Sequence, residues 1–357
     1  MTINLYIPST QNFSGKSAIC VAFMHRLQKD GYKVGYFKPV SSAARVMAES
    51  TVDEDARFVK EAFRLTESVD TLAPVVLTQQ QMEAVLASGH TDSDYQQKVK
   101  EAAQVVAQDK DVVVMEGSNN FREGYIVHLS PPETIDLLDA KVVPVIGYQD
   151  DLQLVDDALM AAQRTGDRLI GVIVNNVPAT RMDFVKNQAA PYLAQRGVNL
   201  LAALPHEPML RSITVGEIKA ALDGELLCGD CEDELVENLM VSAMNVEHAL
   251  NYFRRVTNKA VIVGGDRPDV QLAALETSTK ALILTGNVRP NPMIEAKASE
   301  RGVAIILSKD DTFTTVEKVE KFFGKTRFRQ IEKVMLFEEV LSRELDFDKL
   351  YKSIGLK

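Results

Sequence analysis

Runs such as Val112-Val113-Val114-Met115 and Val172-Ile173-Val174 are apolar at every position rather than at every second one. A strand reads this way when both of its faces are covered, the situation in a parallel sheet with helices on each side. Candidate strands of this kind are Ile3–Ile7, Val34–Phe37, Val112–Glu116, Val142–Gly147, Leu169–Asn175 and Asn199–Leu204. The segments between them carry helix-period patterns, as in Ser17–Asp30 and Asp151–Thr165. Strand and helix in alternation predict an α/β domain built on a parallel sheet with helices on both faces.

After Leu204 the pattern changes. Pro205 and Pro208 bracket a break, and Met209–Glu217 reads as a connector. A second, smaller α/β unit is expected beyond it. Its strands are Ala260–Gly264, Ala281–Thr285 and Ala304–Leu307, with helices Val270–Glu276, Pro292–Glu300 and Thr315–Phe322 between and after them. The tail from Phe328 to Lys357 is charged and helical in pattern, with Ile331, Val334, Leu336, Val340 and Leu341 as its apolar positions. It is expected to pack on the second domain or on a partner. The domains expected are therefore 1–210, 211–327 and a helical tail, 328–357.

Composition excludes several classes of function. The 357 residues have room for two domains, and 46% hydrophobic with 25% charged residues is an ordinary globular mix. No stretch approaches the roughly 18 apolar residues of a membrane span. The opening MTINLYIPST lacks a basic flank and a long apolar core, so no secretory signal is expected. Three cysteines make no disulfide framework, and a cytoplasmic setting is the expectation. Cys228 and Cys231 form one C-x-x-C, half of a zinc site, and no second pair completes it in the sequence. The formal charge of −10 argues against a nucleic-acid coat, and the absence of Trp argues against a base-stacking platform.

The chemistry-bearing motif follows the first strand. Ile3–Ile7 leads into PSTQNFSGKS and then a helix. Gly15-Lys16-Ser17 is the second half of a phosphate-binding loop. Backbone N–H groups at the helix start cradle phosphate oxygens, Lys16 neutralises the terminal phosphates, and Ser17 offers a hydroxyl to Mg²⁺. Thr10 stands where the consensus has its first glycine, and Phe13 is bulky where the backbone must bend.

Further pointers recur at strand ends. Lys38, in KPVSS after the second strand, faces the ligand crevice of an open α/β sheet. Asp53-Glu54-Asp55 is an acidic cluster before a helix, and Glu116 ends the strand VVVM where a carboxylate can hold Mg²⁺. Asn175, in GVIVNNVP, carries an amide that can read a purine base, or it is a turn asparagine.

The set STQNFSGKS, YFKPVSS, DEDA, VVVMEG, GVIVNNVP and LPHEPML resembles the dethiobiotin synthetase-like P-loop family. The branch most similar forms the N-terminal part of long phosphotransacetylases, and the likeness covers about residues 1–210. The resemblance implies ATP and Mg²⁺ as ligands. It implies a nucleotide set of Thr10, Ser14, Gly15, Lys16, Ser17, Ser42 and Asn175, with Asn175 on the base. It implies Lys38 as the catalytic lysine and Ser17, Asp55 and Glu116 as magnesium ligands. Ser118-Asn119-Asn120-Phe121 departs from the small residues expected near the substrate.

Over about residues 212–325 the chain resembles a DRTGG domain, through Val263-Gly264-Gly265-Asp266-Arg267-Pro268-Asp269, LILTGNVRPNP and KDDTFTT. The motif itself is altered to GDRPD. That resemblance implies a regulatory or dimerising module, and so a homodimer. The GGD loop is read as a structural or interface loop, with a small-ligand site as the alternative. In long phosphotransacetylases a third domain transfers the acetyl group, and residues 1–357 are not expected to do so.

The function expected is a nucleotide-responsive regulatory protein with an unidentified partner. The alternative is an ATP-dependent ligase of the dethiobiotin synthetase or cobyrinic acid a,c-diamide synthase type. A scaffold that has lost nucleotide binding is the third reading, kept open by Phe13.

Overall fold

A computed structural model describes residues 2–41, 45–47, 50–88, 94–207, 210, 212–228, 231–242, 244–324 and 331–356. The chain forms two compact units, one comprising Met1–His206 with Phe328–Lys357, the other Glu207–Arg327. None of the described helices is long and apolar enough to cross a membrane.

The first unit is built from β1 (Ile3–Ile7), α1 (Lys16–Lys29), β2 (Val34–Phe37), α2 (Glu54–Phe63), α3 (Asp94–Val106), β3 (Val112–Glu116), β4 (Lys141–Val142), β5 (Val145–Gly147), α4 (Asp151–Thr165), β6 (Val172–Val177) and β7 (Leu200–Pro205). Its strands run parallel in the orders β2-β3-β1-β4 and β7-β6-β5. The expected single strand Val142–Gly147 is thus two pieces. Pro144 has no N–H to give to a ladder, so pairing stops there. Val143 N still donates to Tyr6 O at 3.0 Å and Val145 N to Pro8 O at 2.9 Å, which carries β1 onward from β4 to β5. The strand expected from Leu169 begins at Val172. Val112, Val113 and Val114 are all fully buried, so both faces of β3 are covered, as an unbroken apolar run requires.

The second unit contains α5 (Val215–Leu222), β8 (Glu225–Cys228), β9 (Asn238–Val241), α6 (Val246–Phe253), β10 (Lys259–Gly264), α7 (Pro268–Leu275), β11 (Thr279–Thr285), α8 (Pro292–Arg301), β12 (Ala304–Leu307) and α9 (Thr312–Gly324). The sheet order is β8-β12-β11-β10-β9, parallel except for β8. Residues of α6, α7 and α8 share one apolar cluster with the sheet, and residues of α5 and α9 share the other. The sequence reading missed β8 and β9. It also placed a connector where Ile213–Thr214 is a short strand and Val215 opens α5. Thr214 and Glu217 form a capping box at that helix start.

The tail folds into α10 (Ile331–Glu344) and α11 (Phe347–Ile354). It belongs to the first unit and not to the second, contrary to the expectation from sequence. The Phe347 ring lies 5.6 Å from that of Phe23, with the Arg26 guanidinium 4.9 Å from its centroid. Tyr351 donates its hydroxyl to Asp30 at 2.8 Å. Phe347 of the tail therefore packs on α1, the helix that begins at the GKS motif, and Tyr351 bonds to the residue that ends it.

Candidate nucleotide site

The C-terminal ends of β1, β2 and β3 are adjacent, because these strands pair side by side. Whatever follows each strand is thereby brought to one place. After β1 comes the loop 8–15 and α1. After β2 comes Lys38. Glu116 is the last residue of β3.

The loop is pinned from both sides. Thr10 N donates to Val145 O at 3.1 Å and Ser9 N to Ser118 O at 3.0 Å. Gln11 Nε2 donates to Gly147 O at 2.6 Å, and Asn175 Nδ2 to Ser14 O at 2.8 Å. Ser9 Oγ lies 2.6 Å from Ser14 Oγ. Phe13 takes the bend in the left-handed region with φ 60°, at a cost of ~1 kcal/mol or more, and the residue is 61% exposed. Gly15 precedes α1 with φ 87°, and no side chain caps the helix. The first turn holds no acidic residue. Its first backbone N–H groups thus have no side-chain cap of their own and present the positive end of the helix.

Five charged groups converge beyond this helix start. Lys16 Nζ is 2.7 Å from Glu116 Oε1, and Ser17 Oγ donates to the same oxygen at 2.7 Å. Tyr36 donates its hydroxyl to Glu116 Oε2 at 2.8 Å. Lys38 Nζ reaches Asp53 Oδ2 at 2.8 Å, Asp55 Oδ2 at 3.0 Å and Glu116 Oε1 at 3.7 Å. Asp53 caps α2 by accepting from Ala56 N at 2.7 Å, and it also accepts from Ser41 Oγ at 2.5 Å. Lys16, Lys38, Asp53 and Glu116 are all buried.

Burial by itself raises the Glu116 carboxyl, yet Lys16 and Lys38 beside it hold it well below the usual range. Asp53 behaves alike: burial raises it, and Lys38 with its hydrogen-bond donors brings it below normal. Burial disfavours the charged form of Lys38, but Glu116, Asp55 and Asp53 outweigh that and push it well above the usual lysine value. The Tyr36 phenol is pushed far up, by burial first and then by Glu116. All four are thus held in one protonation state at neutral pH.

The structure gathers Lys16, Ser17, Lys38, Asp55 and Glu116 into one cluster, with Ser14 and Gly15 in the adjoining loop. Thr10 sits in the same loop. Asn175 is buried, and its amide N–H₂ is spent on the carbonyl of Ser14. Ser42 lies outside the described residues. Sequence reasoning missed Tyr36, and it named Asp53 only within the acidic cluster and Ser41 only within KPVSS, without a role at the site for either. Tyr36 had a readable signal, since it stands two residues before Lys38 and so shares its face of the strand. Asp53 also had one, as an Asp before a helix is a capping residue.

An AAA domain family matches residues 4–214, more than half of the chain. The chain belongs to that family. A DRTGG domain matches residues 217–322 of this AAA-domain protein. The phosphate acetyltransferase of Synechocystis sp. is 26% identical over 309 residues, covering 82% of the AAA-domain chain and 43% of that enzyme. The phosphate acetyltransferase of Nitratidesulfovibrio vulgaris is 24% identical, covering 98% and 51%. The chain therefore spans about half the length of these relatives. An ATP-dependent dethiobiotin synthetase of Caldicellulosiruptor saccharolyticus is 26% identical over 113 residues, 32% of this chain and 46% of its own. Among solved structures, the signal recognition particle receptor FtsY of Elizabethkingia anophelis aligns at 14% identity over 58% of this chain and 60% of its own, with a TM-score of 0.39.

Proposed function

We propose that the first unit binds a nucleoside triphosphate, ATP in the first instance, together with Mg²⁺, and that its occupancy regulates a partner activity. The observation that carries this reading is the convergence of Lys16, Ser17, Lys38 and Glu116 at the adjacent ends of β1, β2 and β3, beside an uncapped helix start. Phosphate oxygens suit the helix N-terminus and the two ammonium groups. Ser17 Oγ and Glu116 Oε1 lie 2.7 Å apart and form an all-oxygen donor pair, the chemistry a hard cation prefers. Among the described residues no group of three or more His, Cys, Asp or Glu is placed to hold a metal ion. A cation here would draw its remaining ligands from phosphate and water, as Mg²⁺ commonly does. Asp55, with its side chain 30% exposed, is the carboxylate freest to join it.

The regulatory part of the reading is supported by the company the site keeps. The AAA and DRTGG domains occur here in one chain, and phosphate acetyltransferases match across both. On this reading the DRTGG unit transmits nucleotide occupancy and pairs two copies of the chain. Calorimetric titration with ATP and Mg²⁺ tests the binding, with Lys16→Ala as control. Binding that disappears in the variant is expected, and equal affinity in both proteins would sink the proposal.

A second reading is favoured by one observation, the presence of two buried lysines rather than one. Lys16 and Lys38 together suit stabilisation of a phosphoryl group in transfer to a carboxylate, as in an ATP-dependent ligase. Phosphate release that rises on adding a small carboxylic acid would support it. No release with a broad panel of such acids would count against it.

A further inference from the structure

We infer that Glu116 makes the phosphate loop selective for the cation-loaded nucleotide and turns away metal-free polyphosphate. The inference rests on the nucleotide reading above. One oxygen, Glu116 Oε1, takes both Lys16 Nζ and Ser17 Oγ at 2.7 Å, with Lys38 Nζ 3.7 Å away. The other oxygen takes the Tyr36 hydroxyl at 2.8 Å, so the carboxylate is held at both ends. Toward Lys16 it plays the part a phosphate oxygen would play, that of a buried anion on the ammonium. Lys38 is equally committed, to Asp53 and Asp55. Asp53 cannot swing aside without giving up Ser41 Oγ and the cap of α2.

Charge then decides what can enter. Two lysines stand against three carboxylates, so the cluster carries a net charge of −1 when all five are ionised. A bare triphosphate adds more negative charge to a buried place. It also has to take Lys16 from Glu116, whose side chain is 1% exposed. A buried carboxylate stripped of its cation is strongly destabilising. A polyphosphate that arrives with a divalent cation gives Glu116 a new counter-charge while its phosphate takes Lys16. Glu116 is then not left without a counter-charge, and the ligand brings in less negative charge than the bare triphosphate does. Tyr36 and Asp53 are positioning residues in this exchange, the first holding Glu116 and the second holding Lys38.

The test is calorimetric titration of the whole chain with ATP in EDTA and with ATP plus Mg²⁺, for the wild type and Glu116→Gln. The variant keeps the side-chain shape and leaves two lysines against two carboxylates. It is expected to bind ATP in EDTA at least tenfold more tightly than the wild type and to gain less from Mg²⁺. If the wild type binds ATP with Mg²⁺ but E116Q binds metal-free ATP no better, the selectivity inference is overturned and the nucleotide reading stands. If E116Q binds metal-free ATP while the wild type binds under neither condition, Glu116 excludes nucleotide with or without the cation, and both the selectivity inference and the nucleotide reading fall for the native chain. Binding by neither protein overturns both.

A second measurement needs no variant to fold. The ammonium signal of Lys16, followed by NMR in ¹⁵N-lysine-labelled wild type, is expected to move with ATP plus Mg²⁺ and to stay at its ligand-free position with equimolar ATP in EDTA. An equal movement in EDTA would overturn the inference.

Discussion

A Cβ placed on Gly15 would stand 2.2 Å from Asn175 Nδ2, and Gly15 has φ 87°. Gly15→Ala therefore meets two separate penalties. The left-handed backbone costs an alanine about 1–2 kcal/mol. The Asn175 side chain has to retreat, which breaks its 2.8 Å bond to Ser14 O and costs about 1 kcal/mol more. The sum is a loss of about 2–3 kcal/mol. Asn175→Ala alone also loses the bond to Ser14, but it opens the space the new methyl needs. In that background Gly15→Ala should cost only the backbone part. The coupling in a double-mutant cycle is thus about 1 kcal/mol or more, within the range seen for touching residues. The chain contains no Trp, so urea unfolding is best followed by far-UV circular dichroism. Hydrogen exchange in segments 3–37 and 172–177 assigns the loss to the first unit. Equal costs of Gly15→Ala in both backgrounds would refute the claim that Asn175 is what excludes a side chain there.

Two other outcomes follow from the cluster and the tail. Glu116 and Asp53 are both held below the ordinary carboxylate range in the folded protein. Their stabilisation is present above the unfolded values of about 4 and is lost as pH falls through the folded ones. Lys38→Met removes a shared cause of both shifts, so the variant should lose less stability than the wild type as pH falls below about 4; parallel acid limbs in urea midpoints would contradict this. Phe347→Ala empties a buried site against Phe23, Tyr351 and Arg26. It should cost the first unit about 3–5 kcal/mol and leave hydrogen exchange in residues 259–307 unchanged; faster exchange there would contradict the tail's assignment to the first unit.

What sequence made legible was governed by short-range rules. β1, β2 and β3 were readable to the residue because a doubly covered strand must be apolar throughout, and Ile3–Ile7, Val34–Phe37 and Val112–Glu116 nearly are. The gathering of Lys16, Lys38 and Glu116 followed from their places, Lys38 and Glu116 at strand ends and Lys16 at the start of the helix that follows β1. β9 was not readable, since Asn238 opens it and at the sheet edge its residues are partly buried or, at Val241, exposed. The docking of the tail on α1 was not readable either, because an amphipathic helix shows which face is apolar and not what covers it. The partners of Lys38 lay between these extremes. Asp53 is fixed jointly by a helix cap and a buried ion pair, and only the first of these is local in sequence.

The most direct test of the account is a crystal structure of the protein grown with a non-hydrolysable ATP analogue and Mg²⁺. The account predicts the phosphates against residues 9–17, with Lys16 Nζ moved from Glu116 to a phosphate oxygen. A nucleotide bound elsewhere, or one bound in the loop with Lys16 still on Glu116, would contradict it.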